Sequence, residues 1–405
     1  MRAHVVRNLQ LLTLGALSGV LAGVASFVFL ELLDAVTDTR LDHEWLVWLL
    51  PLAGLFVGFV YHRVGGRAGG GTALAVSEAH AYTIGAPARM APLVLGGTLL
   101  GHLFGASVGR EGTAVQMSAS LTDAGARRLH LDHDQRATLA RAALAGGFGA
   151  VFGVPFAGVV FALEVARRRT WRALVAAVPA AFVGHGVVRL LGHDHHPRPN
   201  IVVPFDAGNV LGLVAAGVAF GLTALAFARV VPLTKRWMQH LVPWAPLRPA
   251  IGGGATAVLA LVLGSDYLGL SLPLLDDAFL GNADWHDPAL KLLFTVIALG
   301  SGFVGGEVTP LFVIGGTLGS TLAEPLGLAP VALTAIGLVA VFGAAAHVPL
   351  ASAVMAGELF GPHAIAPALV ACVVARVLVL GDGIYVHSDE RPVGDPTHGA
   401  ATAVT

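Results

Sequence analysis

Residues 108–113 read Val108-Gly109-Arg110-Glu111-Gly112-Thr113, and residues 304–309 read Val304-Gly305-Gly306-Glu307-Val308-Thr309. The two glutamates lie 196 residues apart, and a proline stands 19 residues before each, at Pro92 and Pro288. Downstream, Val154-Pro155 is followed by Glu164 and Val348-Pro349 by Glu358, each nine residues after its proline. Two matches in the same order at nearly one offset make the chain a pair of related halves. Repeats with short, interrupted apolar segments are the usual sequence sign of a transporter fold. The repeat alone leaves the relative orientation of the halves open.

Composition places those halves in a bilayer. Hydrophobic residues make up 55% of the 405 and charged residues 12%, with a mean hydropathy of +0.76. Soluble chains carry about 25% charge, so much of this surface faces lipid. Apolar stretches lie near 9–33, 45–60, 91–108, 142–166, 173–192, 208–232, 250–264, 289–305, 310–345, 347–360 and 364–380. Several fall short of the ~20 residues that cross a bilayer. Broken backbone at that depth is tolerated only beside protein or water. The expected class is an all-α polytopic membrane protein, with halves at 1–195 and 208–388, a polar connector at 196–207 and a flexible tail at 389–405.

Arg2 and Arg7, and the cluster Arg167, Arg168, Arg169 and Arg172, put both regions in the cytoplasm by the positive-inside rule. Trp45, Trp48 and Trp171 suit the membrane interface. The net charge of −1 excludes the basic bias of a nucleic-acid binder. Cys372 alone builds neither a disulfide framework nor a thiolate metal site. His193, His195 and His196 are read as a polar connector, and His102 as a core histidine. No cofactor and no metal is expected. No HExxH, GxSxG or comparable catalytic spacing supports an intramembrane enzyme.

At each repeated glutamate an apolar run ends in glycine and a helix-compatible run begins. The first amides of a helix lack intrahelical partners and carry partial positive charge. Such a terminus is a ready anion site. The amides of Gly109, Arg110, Gly112, Gly305, Gly306 and Val308 are the candidate donors, with the hydroxyls of Thr113 and Thr309. Glu111 would compete with an anion when charged and donate when protonated, which couples the two ions. Glu164 and Glu358 end their apolar runs and are read as structural.

The motifs GREGTAVQ and GGEVTPLF resemble the CLC family of chloride channels and proton-coupled anion exchangers. Within it they resemble the clade of fluoride/proton antiporters. The gating glutamate reads GREGP in most chloride members and GREGT in the fluoride clade, and Thr113 fills the last position. The resemblance implies a CLC-type fold of inverted, structurally related halves. It implies a proton-coupled fluoride antiporter working as a homodimer with one pore per subunit, in the cell's inner membrane. Glu111 would gate and carry the proton, Glu307 and Thr309 would line the anion path, and Tyr385 in GDGIYVHS would donate its hydroxyl. Chloride exchangers place an internal proton glutamate where this chain has Val165. Their GSGIP motif is replaced here by GRAGGGTALAVSEAH, with Thr72 or Ala73 at the serine position. A chloride/proton exchanger or chloride channel of the same fold is the alternative.

Overall fold

Proline and glycine decide where the helices stop. The computed structural model describes residues 2–385 except 168, 169, 196, 197 and 382, with side chains from residue 6 onward. Arg168, Arg169, His196 and the tail 389–405 lie outside the described residues. The first half holds α1 (Arg2–Asp42), α2 (Leu50–Val60), α3 (Gly71–His80), α4 (Met90–Leu103), α5 (Glu111–Arg128), α6 (His133–Phe152), α7 (Pro155–Val165) and α8 (Trp171–Leu190). The second holds α9 (Ala207–Leu241), α10 (Leu247–Leu263), α11 (Leu272–Phe279), α12 (Asp287–Ser301), α13 (Val308–Ala323), α14 (Pro330–Ala345), α15 (Pro349–Phe360) and α16 (Ile365–Leu378).

Two of the apolar stretches prove to be helix pairs. The stretch 142–166 breaks because Gly153 adopts φ +74° and Pro155 opens α7. A left-handed glycine satisfies the outgoing carbonyls, and proline fits the first turn of the next helix. The stretch 310–345 breaks likewise, with Gly327 at φ +66° and Pro330 opening α14. The first stretch instead extends to Asp42, and the connector between helices spans 191–206.

Small residues set the helix packing. Gly15, Gly19 and Gly23 of α1 lie against Ala176, Ala180 and Gly184 of α8. In the second half Gly217 and Gly221 of α9 meet Ala371 and Ala375 of α16. Added methyl groups there would strike carbonyl oxygens, so these contacts require backbone-to-backbone approach.

The halves are inverted. α5 runs from its glutamate toward the beginning of α1, where Thr122 meets Ser18 at 2.9 Å. α13 runs the other way, toward the start of α9, where Leu326 and Leu328 meet Gly212. α7 and α15 lie antiparallel and cap each other. Glu358, at the end of α15, accepts from the Phe156 and Ala157 amides at 2.9 and 2.7 Å. Glu164, at the end of α7, accepts from Leu350 and Ala351 at 3.2 and 2.9 Å. Both glutamates thus tie one half to the other. Replacing Glu358 by alanine orphans two first-turn amides and is expected to cost about 1–2 kcal/mol. A lowered melting temperature of the purified variant is the check; melting with the wild type would contradict it.

Trp45, Trp48 and Trp171 are at least half exposed, as interfacial anchors are. His102 is buried and bonds the Thr98 carbonyl one turn earlier, at 2.9 Å. Cys372 is buried and free.

Candidate functional site: paired helix starts closed by a carboxylate

α5 and α13 meet head to head. Gly109 and Gly306 form a two-bond antiparallel bridge: the Gly109 amide donates to Gly306 at 2.7 Å and the Gly306 amide to Gly109 at 2.8 Å. The bridge holds the two helix starts in register. It also corrects an expectation, because both amides are spent on each other rather than offered to an anion.

The free amides of α13 converge on Glu111. Its Oε1 accepts from the Val308 amide at 2.5 Å and the Thr309 amide at 2.9 Å. Its Oε2 accepts from the Thr309 hydroxyl at 2.5 Å and from the Arg110 amide at 3.0 Å. Glu111 is 1% exposed. A carboxylate holding four donors at a helix N-terminus occupies the place that the dipole and unpaired amides offer an anion.

Close approach makes two glycines necessary. A methyl group on Gly306 would sit 2.6 Å from the Gly112 amide nitrogen and against the Glu111 carboxylate. One on Gly112 would sit 2.8 Å from both the Gly306 backbone and the Thr72 hydroxyl. Gly306→Ala must therefore part the helix starts. Transport by this variant is expected to fall at least tenfold while the protein stays folded; wild-type flux would contradict the packing argument.

The other expected residues divide. Thr113 does not reach the carboxylate: it is fully buried and its hydroxyl pairs with Thr98 at 2.6 Å. Thr72 stands in the first turn of α3 and accepts from Gln116 Nε2 at 3.1 Å. Thr72 and Ala73 both border the cavity described next, and the Thr72 hydroxyl is the one facing Gly112. Tyr385 is buried with its ring edge-on to Phe161. Among the described residues no hydrogen bond joins its hydroxyl to Glu111. Gly305 borders the cavity, and a methyl group there would strike Val108.

Glu307 is the N-cap position of α13 and does not cap the helix with its side chain. It lies in the wall of a cavity of about 470 Å³. Its Oε2 is buried and has no hydrogen-bond partner among the described residues. The cavity enters between the end of α2, the end of α9 and the start of α10, past His62, Lys235 and Arg248, and ends at Thr72, Gln116 and Glu307. Two cations at the mouth raise the local concentration of anions. Gln116, Lys235 and Arg248 were not singled out from the sequence. Gln116 lies within the GREGTAVQ motif, but the two cations become neighbours only when α9 and α10 pack.

Comparisons with known proteins identify the family and the fold. The family described as voltage gated chloride channel matches residues 53–380. A "Chloride/fluoride channel protein" of Pseudomonas syringae pv. tomato is 44% identical over 385 residues, covering 92% of this chain and 85% of that protein. A "Voltage-gated ClC-type chloride channel ClcB" of Salmonella dublin is 28% identical over 71% of this chain and 73% of its own. Among solved structures, a CLC-type fluoride/proton antiporter superposes with a TM-score of 0.88 at 32% identity, covering 93% of this chain and 96% of that one. A slow cyanobacterial Cl⁻/H⁺ antiporter superposes at 0.82 with 19% identity, over 93% and 96% of the two chains, and shares the fold. The chain belongs to the CLC, or voltage gated chloride channel, family of membrane ion-transport proteins.

Proposed function

We propose that the protein is a fluoride/proton antiporter that exports fluoride, with Glu111 as gate and proton carrier. The observation that carries this reading is the Glu111 carboxylate seated on the Val308 and Thr309 amides and the Thr309 hydroxyl. A proton on Glu111 removes the charge that holds it there. The freed seat then accepts a mobile anion, so proton and anion exchange places. The positive-inside rule puts Arg7, Arg167 and Arg172 in the cytoplasm, and the cavity opens on that same side. Fluoride entering past Lys235 and Arg248 meets Thr72, Gln116 and Glu307 before it reaches Glu111. The assembly in this reading is a homodimer carrying one pore per subunit.

Fluoride is favoured over chloride by the donors along this route. A small, strongly hydrated anion needs strong donors in place of its water. Thr309 supplies a hydroxyl, and Glu307 when protonated supplies an O–H from a buried oxygen that has no hydrogen-bond partner among the described residues. The similar proteins named above include both a chloride/fluoride channel and a fluoride/proton antiporter. Efflux from proteoliposomes loaded with either halide tests the choice. Fluoride is expected to leave rapidly and chloride at the protein-free rate; equal rates would favour the chloride transporter.

A further inference from the structure

Asp287, Lys291 and Thr295 stand four residues apart on α12 and so share one face of that helix. All three are buried, and Lys291 is 0% exposed. The transport cycle above uses none of them. Each holds a loop beside α12. Asp287 accepts from the Tyr267 hydroxyl at 2.7 Å. Lys291 Nζ donates to the Tyr267 and Gly269 carbonyls at 3.1 and 2.8 Å. It also donates to the Ser107 and Ser271 hydroxyl oxygens at 2.9 and 2.8 Å. Thr295 meets Ser107 at 3.0 Å.

The chain bends to make this cage. Gly269 lies at φ +59° and Ser271 at φ +55°, a left-handed conformation that serine adopts only at a cost. The bend brings two carbonyls and the Ser271 hydroxyl onto one point. Both hydroxyls have another partner for their own proton: Ser271 donates to the Leu268 carbonyl at 3.3 Å, and Ser107 has Thr295. Four oxygens are therefore left to accept from Nζ, which as an ammonium has three donors and no acceptor. No carboxylate is among the four. Burial works against the charge, and four oxygens turned toward it work for it. The arrangement is an oxygen-lined site for a monovalent cation, filled by the chain's own.

Ser107 joins the cage to the gate. It stands two residues before Gly109, whose bridge to Gly306 keeps the helix starts in register. The next residue, Arg110, donates its amide to the Glu111 carboxylate at 3.0 Å. Gly105, in the same segment, accepts from the Gly269 amide at 3.3 Å. The segment leading into Glu111 is thus fastened at 105 and 107 to the loop that Lys291 holds. We propose that Lys291 is a positioning residue for the gate: its ammonium acts as a built-in monovalent cation that clamps this segment and keeps the Glu111 carboxylate in register with its seat. This rests on the reading of Glu111 as gate.

Two variants test the clamp. Lys291→Met fills the space without the charge, and Lys291→Ala empties the cage. Its oxygens are spaced for an ion of ammonium's size, which potassium matches closely. Fluoride efflux and proton uptake are recorded together in liposomes, with potassium and valinomycin holding the voltage at zero. The melting of each purified protein is recorded in potassium chloride and in N-methylglucamine chloride. In Lys291→Met the fluoride-to-proton ratio is expected to rise several-fold, because fluoride slips past a carboxylate no longer held in register. Lys291→Ala, whose cage potassium can enter, is expected to stay nearer the wild-type ratio. Potassium should raise its melting temperature by several degrees and leave the wild type and Lys291→Met unmoved, since only an empty cage binds the ion. A slower Lys291→Met that keeps the wild-type ratio would make Lys291 a folding strut alone and overturn the proposal. So would a Lys291→Ala protein whose melting ignores potassium. Wild-type protein that moves fluoride without protons would instead overturn the antiport reading, and the melting of Lys291→Ala would still decide whether the cage is a cation site.

Discussion

Glutamine at position 111 is expected to end proton movement driven by fluoride. The amide keeps an oxygen that can accept from Val308 and Thr309, so the side chain still reaches its seat. It carries no charge and exchanges no proton. Hydrogen bonds to a charged acceptor contribute about 1.5–3 kcal/mol each and neutral ones about 0.5–1.5. The substitution therefore weakens the closed state without providing any means of reversing it by protonation. Fluoride exchange should fall with it, since the side chain can no longer alternate between the charged form that takes the seat and the neutral form that leaves it. Fluoride flux and proton uptake recorded in the same liposomes are the check. Proton uptake at the wild-type fluoride-to-proton ratio would refute the role given to Glu111.

Alanine at position 307 has the second largest expected effect, and it falls on selectivity. Glu307 lies between the cavity and the helix starts, with a buried oxygen that has no hydrogen-bond partner among the described residues. Removing a donor from a buried anion route costs about 1–3 kcal/mol for the ion that depends on it. Fluoride depends on strong donors more than chloride does. The ratio of fluoride to chloride efflux should therefore drop about tenfold, with the larger change in fluoride. An unchanged ratio would show that Glu307 caps a helix start and does nothing for selection.

Much of this was legible because the repeat places chemistry at breaks in apolar runs. Glu111 and Glu307 could be assigned to helix starts from the surrounding glycines and the following helical residues, and both lie there. Glu164 and Glu358 read as structural, and they cap helices of the opposite half. What escaped depends on contacts between distant segments. The Gly109–Gly306 bridge consumes two amides that look available from either motif alone. Thr113 has the right spacing to face the ion, yet a helical residue two positions past Glu111 points to another side of α5, where Thr98 waits. The inner end of the route could not be settled between Thr72 and Ala73, because the glycine-rich stretch before them has no periodicity to fix a register. In the structure both border the cavity, and Gln116 bonds the Thr72 hydroxyl.

The same contacts explain why the gate can be both stable and reversible. Four donors hold Glu111, and all of them belong to backbone or to Thr309. None of these four donors is a cationic group. Protonation therefore removes most of the attraction at once, while the Gly109–Gly306 bridge keeps the vacated seat in shape.

The central claim is that one carboxylate exchanges its place with fluoride and carries a proton as it does so. Liposomes containing the purified protein, loaded with fluoride and with no initial proton gradient, test it directly once potassium and valinomycin hold the voltage at zero. The account predicts that fluoride leaving down its gradient drives protons inward, acidifying the interior against a growing proton gradient. Fluoride efflux with no acidification would contradict it.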